Sequence, residues 1–83
     1  MTRAEALDRM RAFLVKKNPK VAPEAIGETT DLIASRILSS LQLIELILFI
    51  ERETGRAILV EDLDPKRIRT LDAIWRSFYD PVP

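Results

Sequence analysis

Apolar residues recur at helical spacing in three parts of the chain, and polar punctuation separates them. Leu7, Met10, Phe13 and Leu14 follow Thr2-Arg3-Ala4-Glu5, a capping box with threonine at the cap and glutamate three residues on, and they predict a first helix from about Arg3 to Lys17. Asn18-Pro19-Lys20-Val21-Ala22-Pro23 breaks that pattern, and the irregular stretch continues through Gly27, Thr29 and Thr30 to about Leu38, with Ala22 to Ile26 able to form a short turn. A connection longer than roughly 12–15 residues in a compact domain usually has a role of its own. The apolar Val21, Ile26, Leu32 and Ile33 predict that this one wraps the core.

A second helix is predicted from about Ser40 to Thr54, stopped by Gly55, the residue that best tolerates the left-handed conformation past a helix end. A short third helix is expected around Asp62 to Ile68, where Pro65 suits a first turn and Asp64 can cap. Thr70 caps a final helix with Leu71, Ile74, Trp75 and Phe78 on one face, the last two read as core, and Pro81 and Pro83 close the chain. No strand pattern, repeat or low-complexity tract competes. The expectation is an all-α, four-helix fold with a long loop between helices one and two and a short third helix.

Composition narrows the chemistry. With 83 residues there is room for one small domain spanning 1–83, and its stability must come from efficient packing rather than core size. Thirteen basic and thirteen acidic residues cancel, so no overall charge favours nucleic acid or an anionic membrane. The absence of cysteine removes disulfides, thiolate metal sites and a thiol nucleophile, and the absence of histidine removes the commonest general base. Self-contained catalysis is disfavoured, and a non-enzymatic role is expected. The N-terminus has no signal-peptide pattern, and the longest apolar run, Leu46 to Ile50, is far below the ~20 residues a membrane helix needs. A cytoplasmic protein is expected, with no membrane or nucleic-acid partner and a monomeric state.

The candidate chemistry lies in Ile37-Leu38-Ser39-Ser40-Leu41-Gln42-Leu43-Ile44-Glu45-Leu46. Ser39 and Gln42 form a second capping box, which gives Ser39 the structural task of satisfying an orphan N–H and leaves the Ser40 hydroxyl unassigned. A group on a serine in the first helical turn sits where backbone N–H groups and the helix dipole favour negative charge. Cap serines are common, so the pair alone could simply start the helix. At 100° per residue, however, Leu43, Leu46, Ile47 and Ile50 share one side while Leu41, Ile44, Glu45, Leu48 and Arg52 share the other. Burial of both sides would desolvate Glu45 and Arg52, so the second side is expected to be exposed, an apolar strip rimmed by charge of the kind that marks a partner surface.

From about Asp31 to Phe78 the chain resembles the acyl carrier protein family, including peptidyl and aminoacyl carriers. The residues that carry the resemblance are Asp31-Leu32-Ile33, Ser40-Leu41, Glu45-Leu46, Glu51-Arg52-Glu53, Glu61-Asp62-Leu63-Asp64-Pro65 and Arg69-Thr70-Leu71. Helix one agrees in placement. The resemblance implies a four-helix carrier in which Ser40 bears 4′-phosphopantetheine, attached by a phosphopantetheinyl transferase, and holds acyl or aminoacyl thioesters supplied by a loading ligase, adenylating enzyme or synthase. Ser39, Leu41, Ile44, Glu45, Leu48, Arg52 and Asp62 would meet those partners. Late basic residues, Arg52, Arg56, Lys66, Arg67 and Arg69, argue against a general fatty-acid carrier and for a discrete carrier in a specialised, secondary-metabolic pathway such as polyketide or nonribosomal peptide assembly. Glu45, Glu51, Glu61 and Asp62 stand as candidate contacts for a basic partner.

Other readings compete. An unmodified helical adaptor would use the same Leu41, Ile44 and Leu48 face. A helix-turn-helix regulator built on Lys66-Arg67 and Arg69 would need a concentrated basic face, which Asp62, Asp64 and Asp72 interrupt. A hydrolase would need a lysine to activate Ser40. Two positions depart from the family pattern: Ser39 stands where aspartate is usual, and Arg36 stands where glycine is common, so that an arginine held at positive φ would be strained. Slower phosphopantetheinylation than in a typical carrier is predicted, with Ser39→Asp restoring the rate; equal rates for the two proteins would remove the idea that the missing charge matters.

Overall fold

The computed structural model describes residues 2–59, 61 and 63–79, and within them every regular element is helical. α1 spans Arg3–Lys17 and α2 spans Ser40–Thr54. α3 starts at Leu71–Ile74 and runs directly into a π-helical stretch, Trp75–Tyr79. Among the described residues of the expected third helix, Asp62 to Ile68, the regular element is a 3-10 turn, Pro65–Arg67, which Asp64 caps by accepting from the Lys66 amide at 2.9 Å. Three residues cannot close a full turn of α-helix, and the preceding Asp62, like Pro81 and Pro83, lies outside the described residues.

The helix ends follow from their caps. Thr2 Oγ1 accepts from the Glu5 amide while the Glu5 carboxylate accepts from the Thr2 amide, both at 3.2 Å. Ser39 and Gln42 repeat the reciprocal arrangement at the start of α2, at 3.2 and 3.1 Å. Caps of this type are each worth about 1 kcal/mol. α2 stops where Gly55 turns left-handed, at φ 70°.

The core gathers Leu7, Met10 and Leu14 from α1, Leu46 and Ile50 from α2, Leu71, Ile74 and Phe78 from the last helix, and Ile68 before it. The long connection supplies Ile26, Leu32, Ile37 and Leu38, as many buried apolar residues as α1 gives. It wraps the core as its apolar positions predicted, with Val21 and Ile33 only partly buried.

Hydrogen bonds fasten the middle of this connection to α1 and to the chain around the start of α3. The Leu32 amide donates to the Arg69 carbonyl at 2.8 Å, the Asp72 amide donates to the Glu28 carbonyl at 3.0 Å, and Arg11 Nε donates to the Ile26 carbonyl at 2.7 Å. Arg3 pairs with Glu28 and with Asp72, tying loop, α1 and α3 at one point. Asp31 starts a single turn by accepting from the Ile33 and Ala34 amides at 3.0 and 2.8 Å, and Arg36 ends it at φ 61°. That left-handed residue reverses the chain so that Ile37 and Leu38 enter the core and Ser39 arrives at the head of α2.

Two stability measurements follow. Arg36 is strained by roughly 1–2 kcal/mol, and the greater chain entropy of glycine when unfolded offsets about half of this. Arg36→Gly is therefore expected to raise the urea midpoint by an amount equivalent to about 0.5–1 kcal/mol, with an unchanged slope. Leu32→Ala is expected to cost about 2–5 kcal/mol in the same assay, as for a helix core residue. A cost near zero would mean that the loop is not part of the cooperative core.

Candidate functional site

α2 carries apolar residues on both of its sides. Its inner side, Leu46, Ile47 and Ile50, is buried and Leu43 is partly so. Its outer side leaves Leu41, Ile44 and Leu48 at 68%, 48% and 53% of full exposure. Full burial of each would contribute about 1.5–3 kcal/mol, much of which the isolated chain leaves unrealised. Leu59, 61% exposed in the segment after α2, adds an apolar residue that periodicity could not find because it lies outside any helix.

Ser40 is exposed in the first turn of this helix. Ser39 carries the cap, and the Leu43 amide bonds to the Ser39 carbonyl at 2.9 Å, so neither task draws on the Ser40 hydroxyl. Among the described residues no hydrogen bond engages that hydroxyl, and no acceptor reaches the Ser40 and Leu41 amides. The helix start therefore presents a free hydroxyl beside two N–H groups, with the positive end of the α2 dipole behind them.

Two residues assigned to the outer side have different surroundings. Glu45 is half-buried on the flank towards α1, where its carboxylate pairs with Lys17 at 2.5 Å. Arg52 is exposed, and it borders a groove of about 490 Å³ between α1 and α2 lined also by Arg9, Phe13, Lys16, Lys17 and Phe49. The Phe13 and Phe49 rings stack in this groove with centroids 4.7 Å apart. The sequence reading missed the groove because its parts come from two helices and meet only after packing. The remaining candidate, Asp62, lies outside the described residues.

Other acidic candidates have internal tasks. Glu51 accepts from the Ile58 amide at 2.7 Å, closing the turn after Gly55, and so is less available to a partner than its place in the sequence suggested. Glu53 receives both Nε and a terminal nitrogen of Arg9, at 2.6 and 2.5 Å. Among the described residues, no group of three or more His, Cys, Asp or Glu side chains could hold a metal ion, and no helix is long and apolar enough to cross a membrane.

Comparison with family models, with curated proteins and with solved structures finds no match to this chain. Its function must be inferred from its own residues.

One strongly perturbed group lies away from Ser40. The Tyr79 hydroxyl is buried without a hydrogen-bond partner, its ring stacks on Trp75 at 5.8 Å between centroids, and burial first, then the nearby Glu53 charge, push its ionisation far above the ordinary 10.0. The folded state thus holds the phenol proton more tightly than the unfolded chain does. Its contribution is complete below pH 10 and is lost as pH rises beyond that value. Stability is expected to fall above pH 10, and Tyr79→Phe to flatten this decline while adding about 1 kcal/mol at neutral pH by removing the unpaired hydroxyl. Urea melts of both proteins at pH 7 and pH 10.5 check both effects.

Proposed function

We propose that this chain is a carrier protein carrying 4′-phosphopantetheine on Ser40. One observation supports this above the others: the exposed Ser40 hydroxyl has no hydrogen bond of its own and lies at the head of α2, directly beside the apolar strip of Leu41, Ile44 and Leu48. A phosphodiester at this position would meet the unpaired amides of Ser40 and Leu41 and the positive end of the helix dipole. When bound, the prosthetic group supplies the thiol that this cysteine-free chain lacks.

In this reading the chain is a substrate of its partner enzymes and not a catalyst. A phosphopantetheinyl transferase modifies Ser40, and an acyl- or aminoacyl-loading ligase, adenylating enzyme or synthase charges the arm. The finer fold assignment, a four-helix carrier bundle, places the Pro65–Arg67 turn in the role of the short third helix. Arg52 near the end of α2 and Arg56 just beyond it argue for a carrier of a specialised pathway rather than a general fatty-acid one, and the proposal takes that carrier as discrete, monomeric and cytoplasmic. An unmodified adaptor is the second reading, favoured by the exposure of Leu41, Ile44 and Leu48 whether or not Ser40 carries anything.

Incubation with coenzyme A, magnesium and a broad-specificity phosphopantetheinyl transferase, followed by intact-mass measurement, separates the two readings. The carrier is expected to gain one phosphopantetheine, Ser40→Ala to gain none, and Ser39→Ala to remain modifiable because the attached group is on Ser40 and the Ser39 side chain serves the helix cap within the chain. An unchanged mass for the parent chain, under conditions that fully convert a known carrier, would leave the adaptor reading.

A further inference from the structure

The charges around the outer face of α2 divide unequally. All three α2 carboxylates are engaged within the chain: Glu45 by Lys17, Glu51 by the Ile58 amide and Glu53 by the paired nitrogens of Arg9. The nearby cations are not all matched. Arg52 at the end of α2, Arg56 just beyond Gly55 and Lys16 on α1 are exposed, and among the described residues none of them pairs with a carboxylate.

Arg52 and Arg56 border the apolar strip at Leu48. Arg52 also lines the groove that holds Phe13 and Phe49, and Lys16, on α1, lines the same groove. Arg52 and Arg56 also line a shallow hollow with Leu48, Glu51, Gly55 and Ala57, where two guanidinium groups outnumber one carboxylate that is itself held by the Ile58 amide, so the strip passes into a net basic rim at its C-terminal end. A carboxylate already paired with a cation, as Glu45 and Glu53 are, contributes little to recognition, because its charge is compensated and breaking its contact would offset any new one, whereas Glu51 keeps its charge but is held in the turn after α2 by the Ile58 amide. The face that a partner meets is therefore apolar at the centre and positive at the edge.

We propose that this face docks an acidic partner: an amphipathic helix or helical surface with aliphatic side chains seated on Leu41, Ile44 and Leu48 and carboxylates set against Arg52, Arg56 and Lys16. The sign is opposite to the basic partner suggested by the acidic residues of the sequence, because those in α2 are spent internally. Apolar contact supplies most of the affinity, and the charged rim supplies selectivity and a faster encounter. The inference rests on the strip being a docking face, which the carrier and adaptor readings share, and does not depend on modification of Ser40.

The unmodified full chain tests it with two synthetic helical peptides, one with a leucine stripe flanked by glutamates and its twin with lysines in the glutamate positions. Fluorescence anisotropy at low salt is expected to show the glutamate peptide binding at least about tenfold more tightly, with the preference shrinking as sodium chloride screens the rim. Amide shifts on titration should fall on Leu41, Ile44, Leu48 and Arg52. Arg52→Glu combined with Arg56→Glu should reverse the preference, and the glutamine pair at the same positions should abolish it, both with an unchanged thermal midpoint. Equal affinities for the twins, absence of binding by both included, overturn the proposal, as does a preference for glutamate that survives in the charge-reversed variant. Because no transferase or coenzyme A is present, failure here is distinct from failure of Ser40 to accept phosphopantetheine.

Discussion

The burial of Leu32, Ile37 and Leu38, with the hydrogen bond from the Leu32 amide to the Arg69 carbonyl, sets where the head of α2 sits against the core. A long irregular segment has no internal ladder to hold it, so its position depends on apolar anchors and on a few bonds to its neighbours. Here Ile26 and Leu32 fix the middle and Ile37 and Leu38 fix the end. The left-handed Arg36 is the geometric cost of bringing the last two inward. The consequence is local rigidity directly ahead of Ser39 and Ser40. A serine at the end of a loose loop would offer no defined orientation to a modifying enzyme or to a neighbouring apolar face.

α2 serves two surfaces at once. Its inner side contributes Leu46 and Ile50 to the core, and its outer side leaves three large aliphatic residues in water. A fold of this size has little stability to spare, and side chains that contribute little to its own folding are best explained by a partner that covers them. The adjacency of this strip to the free Ser40 hydroxyl gives the carrier proposal its physical basis. Anything tethered at the helix head would be delivered wherever a partner gripped the strip.

Charge is organised by local pairing and not by the total. A net charge of zero suggests an even surface, yet Glu45, Glu51 and Glu53 are each drawn into contacts with α1 or with the turn after α2, while Arg52 and Arg56 remain exposed. Exposed ion pairs of this kind contribute only about 0–1 kcal/mol each to stability. Their larger effect is on what is left over. Pairing Glu45 with Lys17 and Glu53 with Arg9 leaves Arg52 and Arg56 as the uncompensated excess beside the outer face, without altering the composition.

Capping boxes at Thr2–Glu5 and Ser39–Gln42, the helical spacing of apolar positions and the glycine after Thr54 rest on contacts between residues three or four apart, and so the limits of α1 and α2 and the two faces of α2 were legible in the amino-acid order alone. The free hydroxyl of Ser40 was legible for the same reason, since the neighbouring serine takes the cap. The segment before α3 was not: the caps and proline permitted an α-helix, but the described residues there form a 3-10 turn at Pro65–Arg67, and the π-helical widening at Trp75 had no local signature. Tertiary packing also decided which carboxylates would be engaged, the groove between Phe13 and Phe49, and the unpartnered hydroxyl of Tyr79. Each depends on groups far apart in the chain, whose meeting follows from how the helices and the long loop pack and from nothing in their immediate neighbours.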